Sequence, residues 1–188
     1  MISFIVPTVG RNLLTRTLAS IETLPGDEIV IVGSVPALAK AAEMTNVLAG
    51  KCVRFIPCPP GNDWGHAERN FVTPMCRGDY LAHIDDDDWY APGTRAWMQD
   101  AMVNTPDRPV LFRMRFPNGI TLWEKPELRC GNMGTPCILI PNVPEKLGVF
   151  GSFVGGDTNY IETMKWRQDE IVWRPEVIAL LGHDIGVV

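Results

Sequence analysis

No framework of paired cysteines is present. The five cysteines, Cys52, Cys58, Cys76, Cys130 and Cys137, are odd in number and no two form a C-x-x-C pair. That argues against a disulfide scaffold and against a structural zinc site. Reduced thiols and a cytoplasmic location are the expectation instead. No stretch approaches the roughly 18 consecutive apolar residues that a membrane span needs. The opening segment MISFIVPTVGR has no basic leader before its apolar run and no small-residue cleavage site after it. It reads as a buried strand rather than a secretory signal. Positive charge is not in excess either: 17 Lys and Arg stand against 22 Asp and Glu, a net charge of −5. This speaks against a broad, non-specific grip on nucleic acid, although Arg108, Arg113 and Arg115 are close enough in sequence to form a local basic groove. Internal repeats and low-complexity tracts are also missing.

What remains is the composition of an ordinary globular chain. It has 188 residues, 46% hydrophobic and 21% charged. A single domain of that size buries about 70% of its unfolded surface and folds without staples. Ile2 to Val6 is a continuous apolar run ended by Pro7, the pattern of a strand buried on both faces. Leu14, Leu18 and Ile21 then recur at helical spacing up to Pro25-Gly26. Glu28 to Val32 predicts a second strand, 37–48 a helix, Cys52 to Ile56 a third strand. Trp64, Ala67, Phe71 and Met75 mark the expected apolar face of a further helix, and Tyr80 to Ile84 a fourth strand. A helix follows over Pro92 to Asn104, with proline in its first turn.

Strand and helix in alternation predict an α/β fold: an open, mostly parallel sheet with helices on both faces. After Thr105 the pattern becomes mixed. Strands are expected over Val110–Phe116, Ile120–Trp123 and Pro136–Ile140, with Pro117-Asn118-Gly119 as a hairpin turn, a helix over Asp157–Lys165 and a short strand over Ile171–Arg174. The expected organisation is one domain, 1–188, whose first 104 residues bind the first ligand and whose remainder builds the second site.

The strongest chemical signal is HIDDDDWYAPG, residues 83–93. Four adjacent carboxylates repel one another unless they are solvated or neutralised by a cation. In an open parallel sheet, ligands bind beyond the carboxyl ends of the strands, where Asp85 to Asp88 fall. Oxygen donors suit Mg²⁺ or Mn²⁺, and magnesium commonly takes one or two protein carboxylates plus substrate phosphates. An extended segment would put Asp85 and Asp87 on one side, Asp86 and Asp88 on the other. A solvated acidic turn is the bland alternative.

Two segments carry a resemblance. IVPTVGR stands at 5–11, and AERNFVTPMCRGDYLAHIDDDDWYAP at 67–92. In residue types and in spacing the chain resembles the GT-A-fold glycosyltransferases of family 2, over about its first hundred residues. The resemblance implies a nucleotide-diphospho-sugar transferase-like fold and a sugar donor activated as a nucleoside diphosphate, UDP by default. It also implies that Pro7, Thr8, Arg11, Ser34, Arg69, Asp85 and Asp86 bind the nucleotide-sugar and that Asp87 ligates Mn²⁺ or Mg²⁺. The chain departs from the family after its second strand, where Gly33-Ser34 replaces the usual acidic residue that reads the base.

An inverting transferase needs a carboxylate to accept the proton of the acceptor hydroxyl. Asp157, in VGGDTNYIETM at 154–164, resembles that base, with Glu162 a lesser candidate; Asp is equally a favoured helix N-cap. His183 is the candidate late metal ligand, while His66 and His83 lie nearer the nucleotide edge. Trp123, Trp166 and Trp173 suit sugar stacking or core packing alike. RCGNMGTPC, 129–137, is a glycine-rich loop expected near the acceptor, with no Gly-Lys-Ser/Thr of a phosphate loop. The acceptor itself is unspecified, and a nucleic-acid acceptor is not favoured by the net charge. A catalytically degenerate nucleotide-sugar-binding module and a sugar nucleotidyltransferase are the alternatives. The nucleotidyltransferase would need a G-x-G-x-R loop where PTVGRN stands.

Overall fold

The computed structural model describes residues 1–61 and 63–182. Four parallel strands form its first part: β1 (Ile2–Thr8), β2 (Glu28–Gly33), β3 (Val53–Pro57) and β4 (Tyr80–His83). Helices α1 (Leu14–Ser20), α2 (Val35–Ala42), α3 (Thr45–Leu48) and α4 (His66–Val72) connect them. Then come β5 (Trp89–Tyr90), α5 (Thr94–Asn104), β6 (Val110–Arg115), β7 (Thr121–Leu122), β8 (Ile138–Pro141), α6 (Gly156–Thr163) and β9 (Val172–Leu180). One nine-stranded sheet runs in the order β3-β2-β1-β4-β8-β6-β9-β5, with β7 on β6. The later strands make it mixed: β8 is antiparallel to β4 and β6, while β6 and β9 are parallel.

The apolar run of β1 explains its central place. All seven residues are buried. Ile2, Phe4 and Val6 pack with Leu14, Leu18 and Leu38 on one face, and Ile5 packs with Val30, Leu81 and Val72 on the other. A strand covered on both faces needs apolar side chains at every position, as this one has but for Ser3 and Thr8. Ser3 satisfies its hydroxyl by donating to Glu28 Oε1 at 2.7 Å while accepting from the Gly78 N–H. Beneath β1, Asp27 accepts from Arg95 Nε and Nη2 and from the N–H groups of Ile2 and Leu24.

Several elements differ from the sequence pattern. The helix expected over 37–48 is two pieces, broken before Thr45-Asn46, two weak helix formers. The short strand expected over Ile171–Arg174 extends to Leu180 and passes Pro175. Proline is accommodated because pairing with β6 slips between Leu111 and Arg113, a bulge where no ladder N–H is required. Trp89–Tyr90, to which the sequence pattern assigned no strand, pairs with β9.

The largest difference concerns α4. Its expected apolar face is the outer one: Trp64, Ala67, Phe71 and Met75 are exposed, whereas His66, Glu68, Arg69 and Val72 are buried. The polar face turns inward because it meets the site rather than the core.

Candidate active site

Strand order 3-2-1-4 reverses at β1, so the crevice between the ends of β1 and β4 is the topological switch point. The segment after β1 and the acidic run after β4 both open there. The acidic run is not extended. Asp88 N–H donates to Asp85 C=O at 3.2 Å, which closes a turn and separates Asp85 and Asp88 from Asp86 and Asp87, which share Arg11 Nη1. The expected pairing of Asp85 with Asp87 and of Asp86 with Asp88 on opposite sides therefore does not hold.

Asp86 is buried beneath the turn that follows β1. Its Oδ2 accepts from Thr8 Oγ1 at 2.7 Å, Val9 N–H at 3.1 Å and Arg11 N–H at 3.4 Å; its Oδ1 accepts from Arg11 Nη1 at 2.9 Å. Thr8 Oγ1 also accepts from the Gly10 N–H at 2.9 Å. Asp86 thus fixes the shape of the Pro7–Arg11 segment from below. Arg11 Nη1 reaches Asp87 Oδ2 as well, at 2.8 Å, and its side chain is half exposed. Asp85 pairs with Arg69 Nη2 and accepts a long bond, 3.4 Å, from Thr135 Oγ1. Asp88 faces inward: Gly182 N–H donates to its Oδ1 at 2.9 Å, while Oδ2 is buried without a partner among the described residues. Burial, with the neighbouring Asp85 charge second, pushes its carboxyl up to about 8.

Arg69 is wholly buried, an unusual position for a guanidinium. It donates from Nη1 to the Trp64 carbonyl at 2.8 Å and from Nη2 to Asp85, which settles its place in the crevice wall rather than on the surface. The next residue, Asn70, clamps both backbone groups of Phe150, donating to its carbonyl at 2.8 Å and accepting its N–H at 2.9 Å. Ser34 follows the carboxyl end of β2 and stands at the N-cap position of α2 without a side-chain cap bond. Gly33 before it has its α-carbon against the Thr8 carbonyl, where an added Cβ would lie 2.3 Å from the oxygen. No side chain fits at 33 in this backbone, so the first residue after the strand that carries one is Ser34.

Asp157 stands in the first turn of α6, which follows Gly155 at φ +94°. It makes no side-chain cap bond to its helix. Instead its Oδ1 lies 3.3 Å from His66 Nε2. The segment Gly134-Thr135 lies between Asp157 and the acidic turn: a Cβ on Gly134 would sit 3.7 Å from Asp157 Oδ2, and Thr135 bonds Asp85. The RCGNMGTPC segment therefore joins the two carboxylate groups. His83 is fully buried between Phe150 and Tyr160, and burial, followed by the Arg69 charge, lowers its pKa well below the ordinary histidine value. Arg108 donates to the carbonyls of Asp169 and Glu170 and Arg113 to that of Trp123, so these two have local work to do. His183 lies outside the described residues.

The donor set fits a hard divalent cation. Around the crevice Asp85, Asp86 and Asp87 meet two guanidiniums, leaving excess negative charge, while burial holds Asp88 toward its neutral form; Asp87 and Asp85 retain partial exposure. Among the described residues no cluster of three or more His, Cys, Asp or Glu groups could hold a metal ion. An ion that shares its shell with substrate phosphates needs no such cluster.

The sequence pattern placed His66 only near the nucleotide edge, not beside Asp157, and missed Asn70, Phe150 and Gly156. Only the polar spacing of His66, Arg69 and Asn70 on one helix could have signalled them.

The sheet order and the crevice define a GT-A α/β domain. The model of glycosyl transferase family 2 matches residues 3–168, and the chain belongs to that family. Among solved structures it is similar to S. aureus TarS, with TM-score 0.69 at 16% identity, covering 96% of this chain and 36% of that one. TarS 1–349 in complex with UDP-GlcNAc aligns with TM-score 0.67 at 16% identity, over 95% of this chain and 57% of that one. The mannosyltransferase PcManGT from Pyrobaculum calidifontis, in complex with GDP-Man and Mn²⁺, aligns with TM-score 0.69 at 14% identity, over 99% and 58%. At these identities the likeness is one of fold, and the chain spans only 36–58% of the length of these proteins. No curated protein sequence matches it. Among the described residues no helix is long and apolar enough to cross a membrane.

Proposed function

We propose that the chain moves a sugar from a nucleoside-diphosphate sugar to an acceptor hydroxyl, with inversion at the anomeric carbon and with Mn²⁺ or Mg²⁺ held at Asp87. One observation carries this reading: the acidic turn with Arg11 and Arg69 stands at the switch point, and Asp157 faces it across Gly134-Thr135. TarS and PcManGT, solved with UDP-GlcNAc and with GDP-Man and Mn²⁺, support a nucleotide-sugar donor.

The nucleotide lies over Pro7, Thr8 and Ser34, on a floor held in place by Asp86. Arg11 contributes positive charge toward the diphosphate from its half-exposed position. Arg69, fixed on the Trp64 carbonyl, orients Asp85 toward the ribose or diphosphate. A bound divalent cation supplies Lewis-acid neutralisation of the charge that grows on the departing diphosphate. Asp157 takes the proton of the acceptor hydroxyl as its oxygen bonds the anomeric carbon and the diphosphate leaves from the opposite face. UDP is the default nucleotide. The acceptor is a hydroxyl compound reached from the side of 105–188.

Calorimetric titration with UDP and GDP, with and without Mn²⁺, tests the reading. Metal-dependent binding of one nucleotide that disappears in Asp87→Ala supports it. Absence of binding under every condition removes it.

A further inference from the structure

We infer that His66 is the positioning residue of Asp157, orienting its carboxylate and offering a second nitrogen to the proton that Asp157 takes up. The inference rests on the transfer reaction proposed above and concerns how its base is held.

The imidazole of His66 is nearly buried, and both nitrogens face a defined neighbour. Nδ1 lies 2.7 Å from the Gly151 carbonyl. A carbonyl only accepts, so Nδ1 carries a hydrogen and, in the neutral ring, Nε2 presents its lone pair. Nε2 lies 3.3 Å from Asp157 Oδ1. The contact is at ion-pair distance but lacks hydrogen-bond alignment, and Oδ1 is buried with no hydrogen-bond partner among the described residues. Two acceptor atoms this close are satisfied together only when a proton is held between them, and the transfer reaction supplies one. When the acceptor O–H bond breaks and its oxygen joins the anomeric carbon, the proton goes to the Asp157 carboxylate and Nε2 can share it. The diphosphate carries away the electron pair of the broken glycosidic bond, so charge and atoms balance.

Three features show that the ring is placed rather than incidental. Its plane stacks on Phe150 at 5.6 Å and 18°, and Phe150 in turn stacks on Tyr160 at 4.0 Å. The α-carbon of Gly156, next to Asp157, lies against the ring: a Cβ there would come within 2.3 Å of Cε1 and 2.5 Å of Nδ1. The same Cβ would lie 2.3 Å from the Gly151 carbonyl oxygen that Nδ1 meets, so a larger residue would disturb both the ring and the carbonyl that anchors it. Third, His66 and Arg69 stand one turn apart on α4, so one buried helix face holds Asp85 on the donor side and Asp157 on the acceptor side.

Long-range ¹H–¹⁵N spectra of the His66 ring in the intact chain, assigned with His66→Gln, test this without an acceptor. Nδ1 is expected to be protonated, and the Nε2 resonance to move in Asp157→Asn while the Nδ1 resonance stays. An unprotonated Nδ1, or an Nε2 resonance indifferent to Asp157→Asn, overturns the inference. Hydrolysis of UDP-GlcNAc and GDP-mannose with Mn²⁺ gives the functional arm. His66→Gln and Gly156→Ala should each lower kcat by about 10- to 100-fold, the scale of a misplaced catalytic group, with KM within about twofold. An unchanged kcat in His66→Gln overturns it. Loss of nucleotide binding in the unaltered protein brings down the transfer reading and this inference together, whereas binding with an unmoved Nε2 signal brings down this inference alone.

Discussion

On the donor side of the crevice, both oxygens of Asp86 are engaged and Arg69 is locked between a carbonyl and Asp85. On the acceptor side, Asp157 keeps one oxygen buried without a hydrogen bond, beside a histidine that touches it only at ion-pair distance. The contrast separates two tasks. A surface that receives a fixed nucleotide can be built once, and the oxygens that hold the Pro7–Arg11 segment are all engaged, although Asp88 Oδ2 and Arg69 Nε nearby are also buried without partners among the described residues. A base must retain an oxygen that becomes satisfied only when a proton arrives, and that leaves a polar atom unpaired in the resting state.

The sharpest way to test that separation is Asp157→Asn. Turnover of the nucleotide sugar is expected to fall by about 10²- to 10⁴-fold, the usual contribution of a general base, while calorimetric nucleotide affinity stays the same. A parallel loss of affinity would mean that the two sides are one site.

At the amino end of β1, away from the crevice, the fold rests on a buried ion pair. Asp27 and Arg95 are nearly inaccessible and bond through two nitrogens at 2.6 and 3.2 Å. Asp27→Asn, which leaves Arg95 without its counter-charge, should cost about 3 kcal/mol in urea unfolding. Burial would raise the Asp27 pKa, but the bonds from Arg95, Leu24 and Ile2 outweigh it and the net shift is downward. Its stabilisation is therefore present above the ordinary carboxylate pKa of about 4 and is lost as pH falls through the lower folded value. The gap between the unaltered protein and Asp27→Asn should narrow between pH 5 and pH 2, by about the amount of that shift.

A smaller effect is expected from Thr8→Val, which removes the hydroxyl between Asp86 and the Gly10 N–H. Loss of a bond to a charged group predicts about 2 kcal/mol of stability, together with weaker nucleotide binding. The smallest comes from Phe71→Ser on the exposed side of α4, expected within about 0.5 kcal/mol of the unaltered protein. Val72→Ala, one residue on and fully buried, should cost about 2 kcal/mol. Equal costs at 71 and 72 would contradict the observed orientation of the helix.

That helix shows where sequence periodicity works and where it fails. For β1 and β2 the neighbours are mostly apolar, Ser3 with Glu28 and Thr8 with Asp86 being exceptions, so burial and hydrophobicity largely coincide and the strands are legible. On α4 the buried neighbours are carboxylates and carbonyls, so the inward face is polar and the apolar stripe of Trp64, Ala67, Phe71 and Met75 points the wrong way. Proline in β9 misleads for a similar reason, because a bulge formed with a distant strand relieves its missing N–H.

The sequence by itself determined the α/β alternation, the parallel first strands and the placement of an acidic run just past a strand end, since each follows from local periodicity and from the chemistry of adjacent residues. It also carried the family likeness, because IVPTVGR and the segment at 67–92 are contiguous. Only the tertiary structure decided what each of four identical aspartates does. Their roles depend on partners far away in the chain: Arg11 and Thr8 for Asp86, Arg69 and Thr135 for Asp85, Gly182 for Asp88. It also brought His66 to Asp157, across a separation that no local pattern spans.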